Sequence, residues 1–293
     1  MTKNIIWSVG NKLGVVLMSI LLHPFTPTLQ PVMAQVTFLR TDSTTVCRLL
    51  QNAPREAGTL WFARQFLGRP YVAHTLEVND DEQLVVNTRE LDCTTLIETV
   101  TALTLCHQRR QSQWSDYLQT LQTLRYRGGV IDGYTSRLHY FTDWIEDKTC
   151  LSLVQEIQEP DPPFTAVQTI KVNYMSQHPQ AYKSLKAHPQ LIPAIARQEQ
   201  MLSGRQYRYI PKQEVANTRL LRQTIRDGDI IAITCSKPGL DIAHLGFAVW
   251  HKDGLHLLNA SQLRKKVVVE PMTLYRYLQK HPTHTGIRII RIK

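Results

Sequence analysis

Two textures divide the chain. Up to about residue 204 the apolar positions recur at helical spacing; from Asp229 they alternate or run together as strands do. Residues 43–67 read as helices through Leu49, Leu50, Leu60, Phe62, Phe66 and Leu67, and Gly68-Arg69-Pro70 breaks them. An extended excursion at Leu84-Val85-Val86 precedes a helix opened by Asp92 and carried by Leu96, Val100 and Leu103. Residues 111–150 are helical and aromatic, interrupted at Gly128-Gly129; Glu156–Pro163 reads as a loop, and 165–204 as polar helices punctuated by Pro179, Pro189 and Pro193. Five strands follow: 230–233, 245–250, 255–259, 267–269 and 287–292, with a hairpin turn at His251-Lys-Asp-Gly254. Helices first and an antiparallel meander afterwards predict an α+β fold.

The N-terminus carries a different pattern. Lys3 and Lys12 precede an apolar run, Gly14–Leu22, and then Val32-Met33-Ala34. The run is shorter than the 20 or so residues that a bilayer requires, and the order of features is that of a secretory signal peptide cleaved near Ala34. The expected organisation is a signal peptide at 1–34, nucleophile-side helices at 35–110, a helix-rich insertion at 111–215 and a sheet at 216–293. The net charge of +10 falls to +8 without the first 34 residues, which hold two lysines and no acid. Export argues against a nucleic-acid partner; a basic exported protein suits carboxylate-bearing cell-wall polymers. Five cysteines in the exported part leave at least one free thiol. Cys93 is the natural candidate, while Cys106 and Cys235 sit in apolar surroundings and read as buried hydrophobes.

Cys93 follows Asp92, a good N-cap, at the start of an apolar helix. Free N–H groups of a first helical turn favour negative charge and are expected to lower the pKa of a thiol placed there. Such a nucleophile wants a histidine and a third group to orient it. A four-residue loop at 251–254 sets Trp250 opposite Leu255, Ala248 opposite Leu257, Gly246 opposite Asn259 and His244 opposite Ser261. His244, Gly246, Ala248 and Asn259 then share one face, with Asn259 diagonal to His244. The small Gly246 and Ala248 are expected to let the Cys93 helix approach there, leaving Leu245, Phe247 and Val249 to a core on the other face. Ser261 is the rival orienting group. His251 and His256 flank the turn without a third ligand at metal spacing and read as surface residues; His281 and His284 are loop-like, and no metal or organic cofactor is expected. Arg137, within Tyr134-Thr-Ser136-Arg137-Leu-His139-Tyr140, offers a donor for a carboxylate, or lies on a solvated helix face.

Together these segments resemble the NlpC-type cysteine peptidases, a papain-like superfamily acting on cell-wall peptides. The resemblance rests on Leu67-Gly68-Arg69-Pro70-Tyr71, Leu91-Asp92-Cys93-Thr94-Thr95, Arg226-Asp227-Gly228-Asp229-Ile230, His244–Val249 and Asn259-Ala260-Ser261, where histidine is usual in place of Asn259. The long interval between Cys93 and His244 and the Ser136–Tyr140 segment are similar to one branch, first catalogued as a domain of unknown function, that resembles N-acetylmuramoyl-L-alanine amidases. The resemblance implies a papain-like core and a catalytic set of Cys93, His244 and Asn259. It also implies oxyanion or substrate contacts from Tyr71, Ser136, Arg137 and Tyr140, and a periplasmic or extracellular enzyme acting on peptidoglycan or muropeptides. A γ-D-glutamyl endopeptidase, a non-catalytic wall-binding protein and an acyltransferase remain the competing readings.

Overall fold

The structure, a computed structural model, describes residues 35–293. The signal segment expected at 1–34 lies outside the described residues. The N-terminal part contains β1 (Val36–Thr37), α1 (Arg40–Asn52), α2 (Thr59–Arg64), β2 (Leu84–Val85), α3 (Cys93–Gln108), α4 (Trp114–Arg125) and α5 (Phe141–Cys150). A mixed region follows with β3 (Val154–Ile157), β4 (Ala166–Thr169), α6 (Tyr174–Gln177), α7 (Lys183–Ala187), α8 (Ile192–Leu202), β5 (Gln206–Pro211) and α9 (Thr218–Thr224). The C-terminal part holds β6 (Ile230–Cys235), β7 (Ile242–His251), β8 (Gly254–Ser261), β9 (Lys266–Val269), α10 (Leu274–Gln279) and β10 (His284–Ile292). No helix among the described residues is long and apolar enough to cross a membrane.

Seven strands form the path β4-β5-β10-β6-β7-β8-β9 and β3 adds to β10, every pairing antiparallel. The predicted meander is real from β6 to β9. The last strand differs from expectation: β10 returns beside β6, between the meander and the strands of the middle region. That region was expected as a helical insertion, yet it supplies β3, β4 and β5 to the same sheet. All three are short, and β4 and β5 alternate half-buried with exposed positions over most of their length.

Two cores sandwich the sheet. On one face Ile230, Ala232, Leu245, Phe247, Val249, Leu258 and Ala260 pack with the helices α1 to α5. On the other, Ile231, Ile233, Ala248, Leu255 and Leu257 pack with α9 and α10. A third, smaller cluster holds α6, α7 and α8 together around Met175, Leu185, Ile195 and Leu202. Helix α3 is buried nearly all round, from Thr95 to Cys106, which is why its pattern is an apolar run rather than a stripe. It packs on the Leu245–Phe247–Val249 face and not on the small-residue face expected for it. The bulky odd-numbered side chains of β7 offer more apolar area to a helix, and the space at Gly246 is taken by Leu257, whose side chain lies 2.7 Å from where a Cβ would stand.

Candidate active site

Cys93 is the first residue of α3, and its position is set by a reciprocal cap. The Asp92 carboxylate accepts from the Thr95 N–H at 2.8 Å, and the Thr95 hydroxyl oxygen accepts from the Asp92 N–H at 2.9 Å. The Leu96 N–H donates to the Asp92 carbonyl, so the ladder begins behind the thiol and leaves the Cys93 N–H outside it.

His244 enters from the start of β7. Ile233 pairs with His244 and Thr234 with Ile242, so Ala243 is an extra residue in the ladder immediately before the histidine. The hairpin pairing is the predicted one, Trp250 with Leu255 and Ala248 with Leu257, although the turn itself is only Lys252-Asp253. Asn259 is fully buried, and its Oδ1 lies 2.9 Å from His244 Nε2. An amide oxygen only accepts, so the imidazole donates from Nε2 and, while neutral, keeps its Nδ1 lone pair free. Ser261, the rival, is engaged elsewhere: its hydroxyl donates to Glu270 Oε1 at 2.9 Å. Asn259, and not Ser261, is therefore the group bonded to the histidine ring.

Cys93, Thr94, His244 and Leu245 line one cleft of about 160 Å³, whose far wall is His139, Tyr140, Phe141, Met175 and Tyr182. The electrostatics differ from the sequence expectation. Burial, reinforced by the Asp92 carboxylate, pushes the Cys93 thiol up to about 12, against contacts with Thr94 and the Leu245 backbone that favour the thiolate. Burial also lowers the pKa of His244, although Asn259, Glu270 and Asp92 favour its charged form. Both shifts are toward the neutral form: up for the thiol, down for the imidazole. The shift opposes the helix-terminus expectation because desolvation, the largest cause, outweighs the peptide dipoles.

Tyr71 stands near the thiol. Burial, then the charges of Cys93 and Asp92, raise its hydroxyl to about 12, so it is a donor at neutral pH. The Tyr140 side chain lines the cleft, but its hydroxyl donates to Glu199 Oε1 at 2.6 Å. Ser136 and Arg137 are not among the cleft-lining residues. The Ser136 hydroxyl closes a turn, donating to the Gly133 carbonyl and accepting from the Asp132 N–H. Arg137 is 6% exposed and faces Glu77 at 3.4 Å and Glu82 at 3.5 Å, with its guanidinium over the Tyr134 ring. The structure thus brings Cys93, His244 and Asn259 together with Tyr71 and Tyr140, and holds Ser136 and Arg137 behind the wall.

Sequence reasoning missed several neighbours. Glu270 is buried, holds Ser261 and acts on His244 through its charge. Tyr277 feels the charges of Glu270 and Cys93, and burial foremost raises it to about 12. The wall residues Met175 and Tyr182 come from α6 and from the residue preceding α7. An acid directly after the Val267–Val269 strand was the one available signal for Glu270; the others follow only from packing.

A family described as N-acetylmuramoyl-L-alanine amidase-like (AmiA-like) matches residues 61–287. Among solved structures, an N-acetylmuramoyl-L-alanine amidase from Bacteroides uniformis is 42% identical with a TM-score of 0.76, covering 80% of this chain and 99% of that one. A Bacteroides fragilis protein provisionally described as a xylanase is also 42% identical, with a TM-score of 0.74 and coverage of 79% and 99%. A Legionella pneumophila protein from a family of unknown function, at 20% identity and a TM-score of 0.67, covers 86% of this chain and 94% of its own and shares the fold. No curated protein matches the chain.

Proposed function

Because the chain belongs to the N-acetylmuramoyl-L-alanine amidase-like family, we propose that it is an exported cysteine hydrolase that cuts the amide between the muramoyl lactyl group and L-alanine. The observation that carries the reading is the His244–Asn259 bond at 2.9 Å beside a cleft that also holds Cys93 at a helix N-terminus. A nucleophile helix packed on a sheet that carries base and orienting group supports reading the core as papain-like, with His139–Phe141, Met175 and Tyr182 forming the wall opposite.

The chemistry is acyl transfer. Asn259 keeps the His244 proton on Nε2, so Nδ1 is the base that takes the Cys93 proton as the sulfur attacks the amide carbonyl. The charge that develops on the carbonyl oxygen is met by the Cys93 N–H, with the Tyr71 hydroxyl as a second donor. His244 then gives its proton to the leaving L-alanine amine, and water attacks the thioester to release the acid and restore the thiol.

The test is incubation of the protein and its Cys93→Ala variant with defined muropeptides, with the products weighed by mass spectrometry. A stem peptide with a free L-alanine amine, formed at least about 10³-fold faster with Cys93 present, is expected. Cleavage inside the stem peptide would move the assignment to an endopeptidase, and equal turnover by the variant would remove the thiol from the chemistry.

A further inference from the structure

The tip of the β7–β8 hairpin carries a second cluster of ligating groups that the active site does not use. His251 ends β7, Asp253 sits in the two-residue turn, and His256 lies two residues into β8. Their donor atoms all lie within 4.8 Å of one another. The sequence offered two histidines and no third ligand; folding the turn supplies the third as Asp253.

The hydrogen bonding of His256 makes the cluster more than a surface coincidence. The ring is 2% exposed, and its Nδ1 lies 2.8 Å from the Glu270 carbonyl oxygen. A carbonyl has no proton to give, so Nδ1 carries one. The neutral ring therefore presents a lone pair at Nε2, which lies 3.0 Å from Asp253 Oδ1, itself acceptor-only when ionised. Two acceptors held face to face require something positive between them, either a second ring proton or a cation. A histidine whose far nitrogen donates to a backbone carbonyl is the usual outer-shell arrangement of a metal-ligating imidazole. The third donor is free to adjust: His251 is exposed and stacks on the His256 ring with centroids 4.4 Å apart. Its donor nitrogen already lies within 4.8 Å of the other two donor atoms, and ligation at the roughly 2.0–2.1 Å of zinc requires the ring to leave that stack.

The geometry points to a divalent transition-metal site, of the class that takes Zn²⁺ or Ni²⁺, formed by His251, Asp253 and His256. Two imidazoles and one carboxylate suit these ions better than Mg²⁺ or Ca²⁺, which want oxygen donors. Three protein ligands leave a coordination position to water. The site is structural. His251 is seven residues along β7 from His244, on the order of 23 Å at the rise of a strand, so the metal clamps the far end of the hairpin that holds His244 and Asn259 and takes no part in the reaction.

Titration calorimetry with Zn²⁺ on the untagged, chelator-free protein tests this, with melting followed in parallel. One saturable site with a dissociation constant in the micromolar range is expected, with a melting temperature that rises with Zn²⁺ concentration. The exposed substitutions Asp253→Asn and His251→Ala, each leaving the buried His256 in place, should weaken binding at least 10-fold and remove the thermal shift, with the metal-free melting temperature unchanged. Absence of saturable binding, or equal binding by both variants, would overturn the site and leave a proton as the bridge between Asp253 and His256.

Discussion

The two sides of the cleft are built differently. The side that carries Cys93, His244 and Asn259 is a 16-residue helix buried almost throughout, laid on strands of which β8 is buried at all eight positions. The opposite side is made of the His139–Phe141 entry into α5 and of α6, α7 and turns between prolines, the two helices only four and five residues long and set around a small separate cluster. On the first side ladders and close packing hold each candidate catalytic side chain. On the second, side-chain bonds do the holding: Glu199 Oε1 accepts from the Tyr140 hydroxyl and from the Met175 and Ser176 N–H groups. A regular frame holds geometry to the tolerance that proton transfer needs. A wall of short turns is free to change shape without disturbing the frame. The comparison predicts that frame substitutions act on turnover and wall substitutions on substrate affinity.

The largest effect among orienting groups belongs to Asn259. Asn259→Ala removes the acceptor that selects the His244 tautomer and should lower kcat about 10-fold to 100-fold while KM stays within a factor of two. Ser261→Ala, two residues along the same strand, should leave kcat nearly unchanged, because its hydroxyl serves Glu270. A reversal of the two results would reassign the orienting role.

The charge state of the frame comes next. With Cys93 raised to about 12, the thiolate fraction grows about tenfold per pH unit through the neutral range. Alkylation of the resting protein by iodoacetamide should therefore keep climbing from pH 7 to pH 9. A resting thiolate–imidazolium pair would give a plateau across that interval, and such a plateau would show that a charged pair persists despite burial. The activity profile sharpens the same point. His244 is held below its ordinary 6.5, so the acid limb of kcat/KM, where the base becomes protonated, should lie below that value.

The contrast also explains what could be read from the chain beforehand. Strands β6 to β9 announce themselves through apolar runs and a polar turn, and the pairing of His244 with Asn259 followed from counting along the hairpin. Strands β3, β4 and β5 did not, because four to six residues with two or three apolar positions look the same as loop or polar helix. The approach of α3 was misjudged because β7 is apolar on both faces, and small residues at Gly246 and Ala248 signal close packing without saying what packs. Leu257 fills that space instead. The upward shift of the thiol was not legible because a helix cap is local and visible in sequence, while desolvation belongs to the assembled cleft.

On the wall, Tyr182 is the residue whose removal should be felt without harm to the frame. Its ring lines the cleft opposite Cys93 and packs beside the small third cluster. Tyr182→Ala should raise KM about fivefold to tenfold, the loss of partial ring burial against substrate, with kcat within a factor of two. A fall in kcat without change in KM would mean that the wall participates in placing the reacting groups and would erase the distinction between the two sides.

Arg137 is expected to have the smallest effect on turnover and the clearest effect on stability. Its guanidinium sits between Glu77 and Glu82, buried and over Tyr134. Burial raises the pKa of Glu82, and the Arg137 charge works against that rise. Arg137→Ala leaves two carboxylates facing each other with one cation fewer, and breaking a buried pair in this way costs about 3 kcal/mol. For a domain of this length that is a fall in melting temperature of roughly 6–12 °C, while KM at temperatures well below the melt should change less than twofold. Should KM instead rise 10-fold or more with the melting temperature unchanged, the guanidinium must leave its carboxylates to meet substrate. The wall would then hold a binding residue in reserve rather than a brace. Arg137→Lys separates the two roles, since a lysine keeps the charge between Glu77 and Glu82 but loses the planar fork that a carboxylate substrate would grip.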